Sequence, residues 1–128
     1  MAVRRIEVTG PVRPVVAWER YADLGAWPTW APQISGVEAD GDRLAVGRTG
    51  SVRVLGGFGV PFVVTAVDPA TLAWSWIARL GPLTLTLHHD LAPDRRGTRA
   101  GLVLEGPTVL VAAYGPFTRL PLTRLLAV

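Results

Sequence analysis

Residues 83–91, Leu-Thr-Leu-Thr-Leu-His-His-Asp-Leu, alternate between apolar and polar chemistry along their length. A β-strand sends successive side chains to opposite faces. Leu83, Leu85, Leu87, His89 and Leu91 therefore share one face, and Thr84, Thr86, His88 and Asp90 share the other. A helix would scatter the same leucines around its circumference. One dry face and one wet face describe a sheet covered on a single side, which is the habit of antiparallel sheets. The pattern recurs in Leu72, Trp74, Trp76 and Ala78, and again in Thr98, Ala100, Leu102 and Leu104 opposite Arg99, Val103 and Glu105.

The rest of the chain supplies the frame. Ile6-Glu7-Val8-Thr9 alternates as a short strand that Gly10-Pro11 ends. Pro14 suits the first turn of a helix carrying Val15, Val16, Trp18, Tyr21 and Ala22 on its apolar side, with Glu19, Arg20 and Asp23 toward water, and Gly25 stops it. Strands are then expected at 36–39, 50–55, 60–67, 72–79, 83–91 and 98–105. Gly41-Asp42, Gly56-Gly57, Asp68-Pro69, Gly81-Pro82 and Asp94 to Gly97 connect them. Such short connections imply an antiparallel meander. The apolar face needs a cover, and only the early helix and the stretch from Pro107 onward are long enough. One sheet gripping a C-terminal helix follows.

Between the helix and the meander lies Trp27-Pro28-Thr29-Trp30-Ala31-Pro32. The prolines fix the backbone and the indoles fill space beside it, so this reads as a rigid packing corner rather than a ligand contact. Farther on, Gly115-Pro116 and Pro121 interrupt the C-terminal stretch. A proline inside a helix costs about 3 kcal/mol, so a single straight helix over 107–128 is not expected.

Several function classes fall away. At 128 residues the chain suits one domain, 1–128, with enough apolar content for a core and a small cavity. Thirteen arginines stand against ten acids with no lysine, scattered rather than clustered, which makes no phosphate-binding stripe and no case for a nucleic-acid partner. Without cysteine there is no disulfide, thiolate nucleophile or Cys-based metal site. His88 and His89 are adjacent on a strand and point to opposite faces, so they do not pair on a metal. No run of about 20 uninterrupted apolar residues offers an integral membrane segment. Residues 1–8 lack the apolar core of a signal peptide, so a cytoplasmic location is expected.

Three words of this sequence carry a family resemblance: Trp18 to Pro32 with its aspartate-leucine-x-x-tryptophan-x-x-tryptophan-x-proline elbow, Val67-Asp68-Pro69 followed by Leu72-Ala73-Trp74, and Leu91-Ala92-Pro93 with Gly97-Thr98-Arg99. In order and spacing they resemble the SRPBCC superfamily of START-like helix-grip proteins, in its polyketide cyclase/dehydrase-like branch. The resemblance implies an α+β fold: an antiparallel sheet of six to seven strands curved around a C-terminal helix, with two short helices between strands 1 and 2. It also implies an apolar small molecule, lipid- or polyketide-like, held between sheet and helix. No cofactor is expected, since the sequence has no His-Glu-x-x-His and no phosphate-binding Gly loop.

The face assignments agree. Trp74 and Trp76 form the expected aromatic wall, with Phe62, Leu85, Leu87, Leu102 and Tyr114 beside them. A solid core built from the same residues is the alternative for each of them. His89 is the single imidazole on the apolar face of its strand. It can serve as a general base, as a hydrogen-bond anchor for a ligand, or as a core-edge histidine bonded to a carbonyl or to water. Arg53, Arg79 and Arg99 fall on outward faces. A cyclase or dehydratase needs a base and a donor for the enolate, and the inward set offers only His89 and Tyr114. Three readings stay open. The first is a carrier of a small hydrophobic ligand. The second is a cyclase- or dehydratase-like enzyme with His89 as base. The third is an interaction module whose open groove takes a partner helix or a second copy in a homodimer.

Overall fold

A computed structural model describes residues 1–54 and 56–128. Leu55, at the end of the expected strand 50–55, lies outside the described residues. Seven strands form one antiparallel sheet: β1 (Ala2–Gly10), β2 (Ile34–Ala39), β3 (Thr49–Val54), β4 (Gly59–Asp68), β5 (Ala73–Leu80), β6 (Leu83–Asp94) and β7 (Gly97–Gly106). Strands β2 to β7 run as a meander, and β1 returns to pair with β7, giving the order β1-β7-β6-β5-β4-β3-β2. The strands outrun the alternating patterns because pairing propagates past them: β1 matches β7 from Ala2↔Gly106 to Gly10↔Thr98.

The alternation holds where it predicts burial. Leu85, Leu87, His89 and Leu91 of β6 are buried, as are Trp74, Trp76 and Ala78 of β5 and Thr98, Ala100, Leu102 and Leu104 of β7. Leu83 departs from it: it opens β6 at the sheet end and is 36% exposed. Leu72 is also displaced, lying in the β4–β5 turn at φ 56° rather than in the strand. That left-handed conformation is uncommon for a branched side chain, and the Leu72 carbonyl accepts from the Leu91 amide at 3.0 Å.

Helix α1 (Pro14–Ala22) ends three residues before Gly25. Asp23 takes an extended conformation and accepts the Gly25 amide on its side chain at 3.0 Å, which closes a 3-10 turn over Leu24–Ala26. The buried side of α1 is also rotated from expectation. Ala17, Tyr21 and Ala22 face the core, while Val15 is 64% exposed and Val16 37%. Tyr21 sets the rotation, because its ring sits edge-on to Trp30 and Trp74 at 5.4 and 5.3 Å. Ala17, one turn earlier on the same side, is small enough to let the helix approach.

The tryptophan elbow is itself a one-turn helix, α2 (Trp27–Trp30). Trp27 Nε1 donates to the Tyr21 carbonyl at 2.9 Å and Trp30 Nε1 to the Arg20 carbonyl at 3.1 Å. Both acceptors lie in the last turn of α1, where carbonyls have no intrahelical partner. The two indoles thus cap α1 while filling the corner.

The C-terminal stretch is broken as its sequence predicts. It forms α3 (Thr108–Tyr114), a 3-10 turn at Gly115–Phe117, and α4 (Arg119–Leu125). Pro121 does not break α4, because it is the third residue and a first-turn amide has no intrahelical acceptor to lose. Val111, Leu122, Leu125 and Leu126 face the core. Arg20 fixes the far end by donating to the carbonyls of Leu125 and Ala127 at 2.6 and 2.7 Å.

Candidate functional site

The inner face of the sheet and the segment α3–α4 enclose a cavity of about 150 Å³. Of the residues the sequence singles out, Trp74, Trp76, Leu85, Leu87, His89, Leu102 and Tyr114 line it. Phe62 is a correction. It is buried against Trp27 and Trp76, with ring centroids 5.8 and 5.7 Å away, and is not part of the lining. Trp27 and Trp30 correct the opposite way. Expected to be packing alone, they both pack and form cavity wall. The sequence reading also passed over Val52, Val54 and Val60, whose own alternation in β3 and β4 would have placed them on the same face. It missed Gln33, Leu110 and Leu122 as well, because loop and helix residues reach the cavity only through the tertiary arrangement.

Strand register assembles the polar end of the site. Trp74 lies directly across from His89, and His89 across from Leu102. The imidazole stacks on the Trp74 ring at 4.4 Å and 7°. Trp76, one diagonal step away, donates its Nε1–H to His89 Nε2 at 2.9 Å. An indole nitrogen can only donate, so Nε2 carries the lone pair and Nδ1 carries the proton. That proton faces the Tyr21 hydroxyl oxygen at 3.2 Å. Burial, reinforced by the neighbouring His88, pushes the His89 pKa down to about 3. His89 is thus a neutral imidazole with both nitrogens engaged. Burial also raises the Tyr21 pKa, with the charge of Asp90 adding to the shift.

Trp74 Nε1 is buried without a hydrogen-bond partner among the described residues. Leaving a donor unpaired costs roughly 1–3 kcal/mol, so it is the flat area of the indole, stacked on the His89 ring with Trp76 beside it, that suits this position.

The other polar feature is Tyr114 at the end of α3, whose hydroxyl accepts from Gln33 Nε2 at 3.1 Å. Burial raises the Tyr114 pKa, and the bond from Gln33 opposes that rise. This bond ties α3 to the residue just before β2, across the cavity. His88 is on the outer face, 2.8 Å from the Ser75 hydroxyl and 3.6 Å from Glu105. Arg53, Arg79 and Arg99 also point outward, as expected.

Comparison with known proteins places this architecture. No curated protein matches the sequence. Among solved structures, a protein from Nitrosospira multiformis superposes with a TM-score of 0.80 at 15% identity, covering 98% of this chain and 94% of that one. A Chromobacterium violaceum protein gives 0.75 at 15% identity, covering 98% and 96%. The structure of Ara h 8.0201 gives 0.70 at 17% identity, covering 94% and 95%. At these identities the likeness is one of fold, and the shared fold is the helix-grip. The model of one family, described as polyketide cyclase / dehydrase and lipid transport, matches residues 1–126. A seven-stranded antiparallel sheet closed by a C-terminal helical segment, matched along almost the whole chain, makes this protein a member of the polyketide cyclase/dehydrase and lipid-transport family, of SRPBCC type.

Proposed function

We propose that this protein binds a small hydrophobic molecule in the cavity between the sheet and the α3–α4 segment. The observation that carries the reading is the cavity wall itself, in which four indoles and a set of Leu and Val side chains dominate and polar side chains enter only at His89, Gln33, Tyr114 and Thr118. Such a wall stabilises apolar ligands by area and orients them through few polar contacts. Size narrows the class. A cavity of about 150 Å³ takes a group of roughly benzene size.

Binding has more support than catalysis. A general base needs a free lone pair and a pKa near the working pH, whereas the His89 lone pair receives the Trp76 N–H and its pKa lies near 3. A role as anchor asks less, since the His89 Nδ1–H can leave the Tyr21 hydroxyl for a ligand oxygen.

Native mass spectrometry of freshly purified protein, followed by tryptophan fluorescence titration with small aromatics, aromatic polyketides, fatty acids and sterols, tests the reading. Saturable quenching through Trp74 and Trp76 is expected, with His89→Ala weakening binding by about 0.5–1.5 kcal/mol and His89→Gln restoring part of it. Turnover of a polyketide that disappears in His89→Ala would establish the enzyme instead. An empty protein that none of these compounds quenches would end the ligand reading.

A further inference from the structure

The cavity reaches the surface at one end of the sheet. Its lining residues at that end, Gln33, Val54, Val60, Leu80, Leu110 and Tyr114, are partly exposed, whereas Trp74, Leu102 and Leu122, farther in, are buried. Strand direction brings the β3–β4 turn, the β5–β6 turn and the start of α3 to this same end, because Leu80 pairs with Leu83 and the end of β7 lies beside the start of β6. Around the opening, Phe58 is 70% exposed, Val109 67%, Leu80 40% and Leu83 36%. Segments 56–60, 79–85 and 106–112 contain no carboxylate, and their one charged side chain, Arg79, is exposed and forms no ion pair among the described residues. The acids of the turns, Asp40, Asp42, Asp68 and Asp94, all belong to the opposite end, where Arg43, Arg48, Arg95 and Arg96 balance them.

We propose that this end docks on the surface of a phospholipid bilayer that contains anionic lipid, with Phe58, Leu83 and Val109 entering the interface and Arg79 at the level of the phosphates. Phe58, Val109 and the pair Leu80 and Leu83 stand on three separate segments around an opening rather than forming one flat face. A fluid interface fits such a rim without a matching shape, and no carboxylate has to be desolvated for it to enter. Docking does not depend on the function proposed above. Passage of apolar cargo between bilayer and cavity does rest on that reading.

Co-sedimentation tests the docking, using vesicles of mixed phosphatidylcholine and phosphatidylglycerol and vesicles of phosphatidylcholine alone. The native protein should pellet with the mixed vesicles and more weakly with the neutral ones. The pair Phe58→Ser and Val109→Ser should reduce binding by about tenfold or more, since each removes an exposed apolar side chain that the interface would bury. Arg79→Gln should reduce it about fivefold and remove the preference for phosphatidylglycerol. Val46→Ser, in the connection at the opposite end, should change nothing. Thermal melts show that each variant is folded, and fluorescence titration without vesicles reads the cavity separately, so failure to dock and failure to bind cargo are distinct results. Native protein that pellets with neither vesicle, or a double variant that pellets as well as native, would overturn the proposal. So would a native dimer in velocity sedimentation that the double variant dissociates, which would assign the rim to a second copy.

Discussion

His89 shows how one strand position can be chemically loud in a sequence and quiet in a fold. The imidazole is 6% exposed, stacked on Trp74 and bonded by Trp76, and it stays neutral because charging it would cost solvation that nothing nearby returns. Its pKa falls from 6.5 to about 3 on folding. In that window the unfolded chain binds a proton that the folded chain does not, so this group's contribution is intact above pH 6.5 and is lost as pH falls toward 3. The loss should approach about 1.4 kcal/mol per pH unit. Urea unfolding at a series of pH values, compared between native protein and His89→Gln, isolates this from the titration of surface carboxylates; equal slopes in the two proteins would contradict it. Trp30 is the second telling residue. It is 6% exposed and tied to the end of α1, so Trp30→Ala should cost roughly 3–5 kcal/mol, visible as a large drop in the denaturation midpoint.

At the scale of elements, two helices depend on side chains from elsewhere to finish their ends. The C-terminus of α1 is completed by indole N–H groups of α2, and that of α4 by the guanidinium of Arg20. Helices of seven to nine residues are too short to hold themselves, so these contacts and the buried face determine whether they form. Arg20→Met keeps the aliphatic stem but removes two charge-assisted bonds, and should lower stability by roughly 1–3 kcal/mol in chemical denaturation. Gly10 offers a second check. A Cβ there would collide with Leu126, the residue that follows α4. Gly10→Ala should therefore loosen the C-terminal segment, read as faster amide exchange over residues 119–126. The sequence showed the helix starts through Pro14 and the breaks through Gly115-Pro116, since proline acts on its own backbone. It could not show which side of α1 is buried, because Val15 and Val16 are as apolar as Ala17, and only the place of Tyr21 in the aromatic cluster selects the rotation.

At the scale of the whole molecule, the sheet, α2 and the α3–α4 segment form one apolar cluster with a gap left inside it. The Gln33–Tyr114 bond spans that gap and links its helical cover to the sheet side. Tyr114→Phe should cost about 0.5–1.5 kcal/mol and speed ligand exchange, measured by stopped-flow tryptophan fluorescence. A ligand held only by the folded state should raise stability by about 2.7 kcal/mol at one hundred times its Kd, a shift that thermal melts resolve. Leu85, Leu87, Trp74 and Trp76 were readable as one face because alternation is a local property of the extended chain. The antiparallel order followed from the short turns for a similar local reason. By itself the sequence determined the strands, the sheet's dry face, the kinked C-terminal cover and the inward residues of β5, β6 and β7. Only the tertiary structure decided that Phe62 fills core while Trp27 and Trp30 reach the cavity, that Trp76 and Tyr21 occupy both nitrogens of His89, and that Gln33 meets Tyr114 across the chain. These depend on distances between elements remote in sequence, which strand register and side-chain volume fix together and no local pattern encodes.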